Sequence, residues 1–379
     1  MPKLCTRSLW RHEVTQVESR ILKALALEAK TTTDPERWAR AVCRSASHFG
    51  RQGRIKEAMD AMATVRGRFG TNLTPAVGAW LMLAEGVMYF FQERPVEAAD
   101  RTRRAYGLAA AAKLEHVLPI CAAWLAHIDF NAFRFEAMAL HLEEALTLAS
   151  ADDHQTQARA SLVLADALHF AGDFQAARPW YEKARIHATT EGDEVTLSAL
   201  LQNVAAMRVG NVRMADAVGS AAPAESKRAM MEANAALYFD IGIGTTLLSA
   251  LLPLLQGQLL TVEGKFREAE ELLSRIDRSK LEAKSVPLLL VDLAWCYTAQ
   301  GRVDDGVALA SEVASQLSPM MDLDEVVCVN ARLSQIAEKA GNLSDSHRFR
   351  DASRTAYQVH RDQQVQLRQR LDSLSQRAR

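Results

Sequence analysis

Apolar residues recur along this chain at helical spacing, and short polar turns interrupt them at near-constant distance. The clearest instance is residues 160–185, ASLVLADALHFAGDFQAARPWYEKAR. Leu162, Leu164, Ala165 and Leu168 give a first helix its apolar face. Gly172-Asp173 breaks it, because glycine takes a positive φ at little cost. Phe174, Ala177, Tyr181 and Ala184 then recur at i, i+3, i+7 and i+10, one face of a second helix. The small Ala165 and Ala177 let the two helices approach closely. The pattern predicts a helical hairpin.

The same turn returns along the chain. GRIKEA begins at Gly53, ERPVEA at Glu93, AFRFEA at Ala132, GDFQAA at Gly172 and GNVRMA at Gly210. GKFREA follows at Gly264, GRVDDG at Gly301 and GNLSDS at Gly341. Successive steps are 37 to 40 residues, except the 54 from Gly210 to Gly264. That gap predicts an insertion or extended helix around residues 216–240. A small residue in the first helix, glycine at the turn, an aromatic two residues later and alanine in the second helix resemble a tetratricopeptide repeat (TPR). The period exceeds the ~34 residues of the standard repeat and is similar to the MalT-like long repeats of bacterial signalling proteins. The resemblance covers residues 36–360. It implies an all-α right-handed α-solenoid of TPR-like helical hairpins with a C-terminal helix.

The expected organisation has three parts. Residues 1–33 form an N-terminal cap, helical over 12–30, and residues 34–352 form the repeat array. Asp34-Pro35 restarts the helical pattern as N-cap and first helical residue. Residues 353–379 form a C-terminal helix in which Tyr357, His360, Gln364, Leu367, Leu371, Leu374 and Ala378 follow steps of 3 and 4. Two readings fit this seam. One is a solvated terminal helix. The other is a coiled coil that makes a homodimer through Leu367, Leu371 and Leu374. The phrase QLRQRLDSLSQRAR resembles the linker helix between sensory repeats and a GGDEF diguanylate cyclase or a histidine kinase.

Composition agrees with close-packed helices. Of the 379 residues 49% are hydrophobic and only 6% aromatic, and the apolar share leans on Ala and Leu. Runs of alternating β-branched residues are missing. The net charge of −1 supplies no global field for nucleic acid. Five cysteines, Cys5, Cys43, Cys121, Cys296 and Cys328, form no CxxC pair. That count suits buried thiols in a reducing, cytoplasmic compartment. The N-terminus lacks the apolar core of a signal peptide. Ile241–Leu260 is 20 residues without a charge, long enough to span a membrane. Its interspersed Thr, Ser, Gln, Gly and Pro argue instead for one buried helix inside the array, so no membrane span is expected.

The search for chemistry finds no HExxH, GxSxG or phosphate-loop signature, and the histidines never adopt metal-ligand spacing with cysteine. The expectation is no catalytic residue, no metal, no cofactor and no enzyme. Solenoids bind along the concave face. The inward positions implied by the repeat resemblance are Phe90, Asp129, Asp166, His169, Arg208, Gln258, Trp295 and Gln335. Asp166 and His169 lie one turn apart and either grip a peptide or form a solvated face. Asn203 and Arg208 are loose candidates for a carboxylate clamp. Trp295 reads as a ligand anchor or inter-helix core. The candidate groove set is therefore Asp166, His169, Asn203, Arg208, Gln258 and Trp295. Three function classes follow. The first is a non-enzymatic scaffold or regulator binding a protein or peptide in its groove, in bacterial signalling. The second is a ligand-sensing regulator, and the third the sensory half of a diguanylate cyclase without its GGDEF domain.

Overall fold

The computed structural model describes residues 19–220, 223–245, 250–317 and 321–377. The described residues form seventeen α-helices and no strand. Helix α1 spans Arg20–Thr31. Eight antiparallel hairpins follow: α2 (Pro35–Arg51) with α3 (Ile55–Phe69), and α4 (Pro75–Phe91) with α5 (Pro95–Ala111). Next come α6 (Leu118–Asn131) with α7 (Phe135–Leu148), and α8 (His154–Phe170) with α9 (Phe174–Glu191). Then follow α10 (Glu194–Ala217) with α11 (Pro223–Ile243), and α12 (Leu251–Val262) with α13 (Phe266–Leu273). The last two are α14 (Val286–Ala299) with α15 (Val303–Ser315), and α16 (Leu323–Lys339) with α17 (Leu343–Arg377). Two short 3-10 turns, Arg278–Lys280 and Ala283–Ser285, link α13 to α14. The fold is thus the all-α solenoid of TPR-like hairpins that the periodicity predicts.

One turn geometry closes all eight hairpins. Gly53, Glu93, Phe133, Gly172, Gly219, Gly264, Gly301 and Gly341 all have positive φ, between 55° and 88°. The amide that follows each donates to the carbonyl five residues earlier, from Arg54 N to Phe49 O through Asn342 N to Ala337 O, at 2.7–3.0 Å. This is the helix-ending motif that satisfies orphan carbonyls while reversing the chain. Helix starts are fixed by side-chain caps. Asp34, Asp153, Asp173 and Asp193 accept from amides two or three residues on. Between helices the contacts use small residues. Ala165, Ala177 and Ala184 are fully buried at the α8–α9 contact.

Three expectations need correction. Gly210 is not a turn. It lies inside α10, whose buried face Ala205, Val209 and Val212 runs past it without interruption. The turn is at Gly219, where φ is 76°, so the gap of 54 residues disappears and residues 223–243 are a regular helix rather than an irregular insertion. The uncharged stretch Ile241–Leu260 is not one buried helix. It holds the end of α11, a turn at Gly244 (φ 68°) and the start of α12; residues 246–249 lie outside the described residues. No described helix is long and apolar enough to cross a membrane.

The third correction concerns the C-terminal helix. Residue 353 is no boundary, because α17 is continuous from Leu343. Leu367 and Leu371 are fully buried and Leu374 nearly so, in the core shared with α7 and α8. Gln364 Nε2 donates to Phe170 O and Arg368 Nη2 to Ala171 O, both at 2.7 Å. The seam read as dimerising therefore has its partner in the same chain. Helix α17 thus runs from α16 back to α7 and α8. Of the expected cap over 1–33, residues 1–18 lie outside the described residues, and α1 packs on α2.

Candidate functional site

A groove of about 350 Å³ lies between the helices of the array. Its walls come from α6, α8, α10, α12 and α14, from the 280–285 segment and from the start of α16. Each helix contributes residues of one inward face. Phe130, Phe170, Met207, Leu254 and Leu255 supply the apolar wall. Asp166, Asn203 and Gln258 supply neutral or weakly charged polar groups along one side. The 280–285 segment and the start of α16 supply a denser charged wall of Glu282, Lys284, Asp322, Asp324 and Glu325.

Asp166 is almost fully buried, and its two oxygens are separately engaged. Tyr181 Oη donates to Oδ1 at 2.9 Å and Asn203 Nδ2 donates to Oδ2 at 2.7 Å. Burial pushes its carboxyl up to about 7, against the opposing pull of those two donors and of Arg159. On the other wall, burial and then repulsion from Asp322 push Glu325 up to about 8. Asp324 is raised by burial and by Asp322. Lys284 Nζ donates to Asp322 Oδ2 at 3.2 Å. Burial opposes its charge, but Asp322 and Glu282 outweigh burial and hold its ammonium above the usual range. The wall therefore carries more carboxyl groups than cations, and burial with mutual repulsion favours the protonated forms of Glu282, Asp324 and Glu325. A cationic group entering the groove would relieve that repulsion.

Of the predicted residues, Asp166, Asn203 and Gln258 line the groove. His169, Arg208 and Trp295 are not among its lining residues. His169 Nδ1 lies 3.2 Å from Tyr181 Oη, and burial pushes its imidazole down to about 4. Tyr181 thus takes up the His169 that the sequence offers as a second peptide-gripping group. Arg208 pairs with Glu232, donates to Glu225 at 3.2 Å, and covers the Phe174 ring at 4.9 Å. Trp295 packs edge-on against Phe266 at 6.1 Å, with Arg332 5.6 Å from its ring. Among the other inward positions, Asp129 is consumed by Arg134 and His141, and Gln335 accepts from Arg332 at 2.8 Å. The sequence reading misses the charged wall. The run DLDE at 322–325 looks like ordinary helix capping, which it also performs. Only the superhelix reveals that this helix start faces the groove. Among the described residues no group of three or more His, Cys, Asp or Glu is placed to hold a metal ion.

No protein-family model matches the chain. No curated protein is significantly similar to it in sequence. Solved structures share its fold. A Rap protein complexed with competence and sporulation factor superposes with a TM-score of 0.55 at 13% identity, over 90% of this chain and 92% of that one. The Rap conjugation gene regulator of the plasmid pLS20, in complex with the Phr* peptide, gives 0.54 at 12% identity, over 86% and 96%. At that identity the likeness is one of fold. It supports the TPR-type solenoid and lends nothing to the MalT-like or GGDEF-associated readings.

Proposed function

We propose that the chain is a non-enzymatic regulator that binds a short peptide, or an extended segment of a partner protein, in its central groove, within bacterial signalling. The observation that carries this reading is the composition of the groove wall. The amides of Asn203 and Gln258 each offer donors and an acceptor, as an extended backbone requires. Phe130, Phe170 and Leu254 offer apolar seats for side chains. The carboxylate-rich wall of Asp322, Asp324 and Glu325 complements an amino terminus or a basic side chain. Two solved structures of this fold are complexes, one with competence and sporulation factor and one with the Phr* peptide, which agrees with a peptide occupant. The one thiol that lines the groove among the described residues, Cys328, is pushed up to about 12 by burial, so it stays a thiol and not a thiolate nucleophile.

A selection tests the reading. A randomised library of short linear peptides is panned against the full chain. The expected result is enrichment of sequences sharing apolar and basic positions, competed away by one another. No enrichment above an unrelated α-solenoid control would overturn it.

A further inference from the structure

A second, much smaller cavity, of about 20 Å³, lies where α2, α6, α8 and the start of α10 meet. It joins the first repeat to the middle of the array. Three arginines, Arg44, Arg51 and Arg159, line it with His48, Asp193 and Thr196. Most of this charge is paired. Arg44 is bonded to Glu191. Arg51 donates through Nη1 to Asp193 Oδ2 at 2.7 Å and through Nη2 to Thr196 Oγ1 at 2.6 Å. Glu194 is turned to His48, 3.4 Å from its Nε2.

Arg159 is the exception. It is 4% exposed and forms no ion pair with any carboxylate among the described residues. Its Nη1 meets His127 Nδ1 at 3.1 Å, and its guanidinium lies 4.1 Å from the Trp124 ring centroid. Burial, then the charges of Arg159 and Arg51, hold His127 well below its ordinary pKa, so the ring is neutral and supplies no counter-charge. A guanidinium does not give up its proton in a protein. Its charge is therefore buried without a directly bonded anion, and Asp193 and Asp166 act on it only from beyond bonding distance, a costly state. The Arg51 Nε beside it is also buried, with no acceptor. Two donors, one of them on a guanidinium with no bonded carboxylate, thus border a space of one small particle, with the Asp193 carboxylate held by its own hydrogen bonds to Arg51 and Thr196. A water fills such a space by size but leaves the charge as it is.

We propose that this cavity is a binding site for a small monovalent anion of chloride size, held by Arg159 and by Arg51 Nε. The volume excludes sulfate and phosphate. The anion neutralises Arg159 and ties α2 to α8 and α10, which makes it a structural ion of the superhelix, independent of what occupies the groove.

The test compares thermal unfolding of the full chain in sodium chloride and in sodium gluconate at equal ionic strength, for wild type and Arg159→Met. The wild-type midpoint is expected to be higher in chloride by on the order of 2 °C, and Arg159→Met is expected to show no such difference. Equal wild-type midpoints in the two salts would mean that the cavity holds water, and overturn the proposal. A chloride effect that persists in Arg159→Met would place the ion elsewhere, with the same consequence. Should the variant fail to fold, wild-type crystals grown in bromide decide. Anomalous density inside the cavity supports the site, and its absence there refutes it.

Discussion

Asn203 Nδ2 donates to Asp166 Oδ2 at 2.7 Å, joining α10 to α8 at the groove wall. With Tyr181 on the other oxygen, three consecutive helices hold one buried carboxylate. Asn203→Ala removes a donor from an acceptor that water does not reach. The expected cost is about 1–3 kcal/mol, read as a lower midpoint in urea unfolding. An unchanged midpoint would mean that Asp166 finds another donor.

The same carboxylate makes stability depend on pH. Burial pushes Asp166 up to about 7, against ~3.9 in an unfolded chain. Between those values the folded protein keeps a proton that the unfolded chain has lost. The contribution of Asp166 is therefore complete below about pH 4 and is lost as pH rises through 7. Asp166→Asn abolishes this dependence. Between pH 5 and pH 8 the variant is expected to gain on wild type by on the order of 2 kcal/mol. Parallel pH curves for the two proteins would contradict the assignment.

Helix α17 is predicted to act inside the chain. Leu371 is fully buried in the core it shares with α7 and α8, and its truncation to Ala leaves a cavity worth about 2–4 kcal/mol. Light scattering is expected to show one oligomeric state for wild type and Leu371→Ala, while the unfolding midpoint falls. A dimer that dissociates in the variant would restore the intermolecular seam.

Two glycines separate packing from propensity. A Cβ at Gly306 would sit 2.0 Å from Thr298 Oγ1 and 2.8 Å from Ala294 O, so Gly306→Ala should destabilise by about 1–3 kcal/mol. Gly67 lies in the exposed part of α3 with nothing within 4 Å. Gly67→Ala should stabilise by about 0.5–1 kcal/mol. Thermal unfolding of the two variants side by side checks both signs.

How much of this was legible follows from what each residue type encodes. The turns were readable because a left-handed residue at a helix end selects glycine, and the spacing carried Glu93 and the 132–133 turn, where glycine is missing. Gly210 misleads because a glycine inside a helix looks the same in sequence as one that ends it. Its GNVRMA matches the motif, whereas the true turn at Gly219 is followed by Ser-Ala-Ala-Pro with no aromatic. Asp166 and Gln258 were found by projecting inward positions, and Asn203 as a candidate for a carboxylate clamp. The same projection fails for Trp295 and Arg208, whose contacts depend on how the superhelix curves between repeats. The leucines of α17 show a heptad seam, and a seam does not say whether its partner is another chain or this one.

The central claim is that the groove holds a peptide, and the most direct measurement is calorimetric titration of a peptide selected from the random library. It is titrated into wild type, Asn203→Ala, Glu325→Gln and the surface control Arg185→Ala, whose partner Glu182 lies on the exposed face of α9. Binding at least tenfold weaker in both groove variants, and unchanged in the control, is the predicted result. Equal affinity across all four proteins would place the peptide outside the groove and contradict the account.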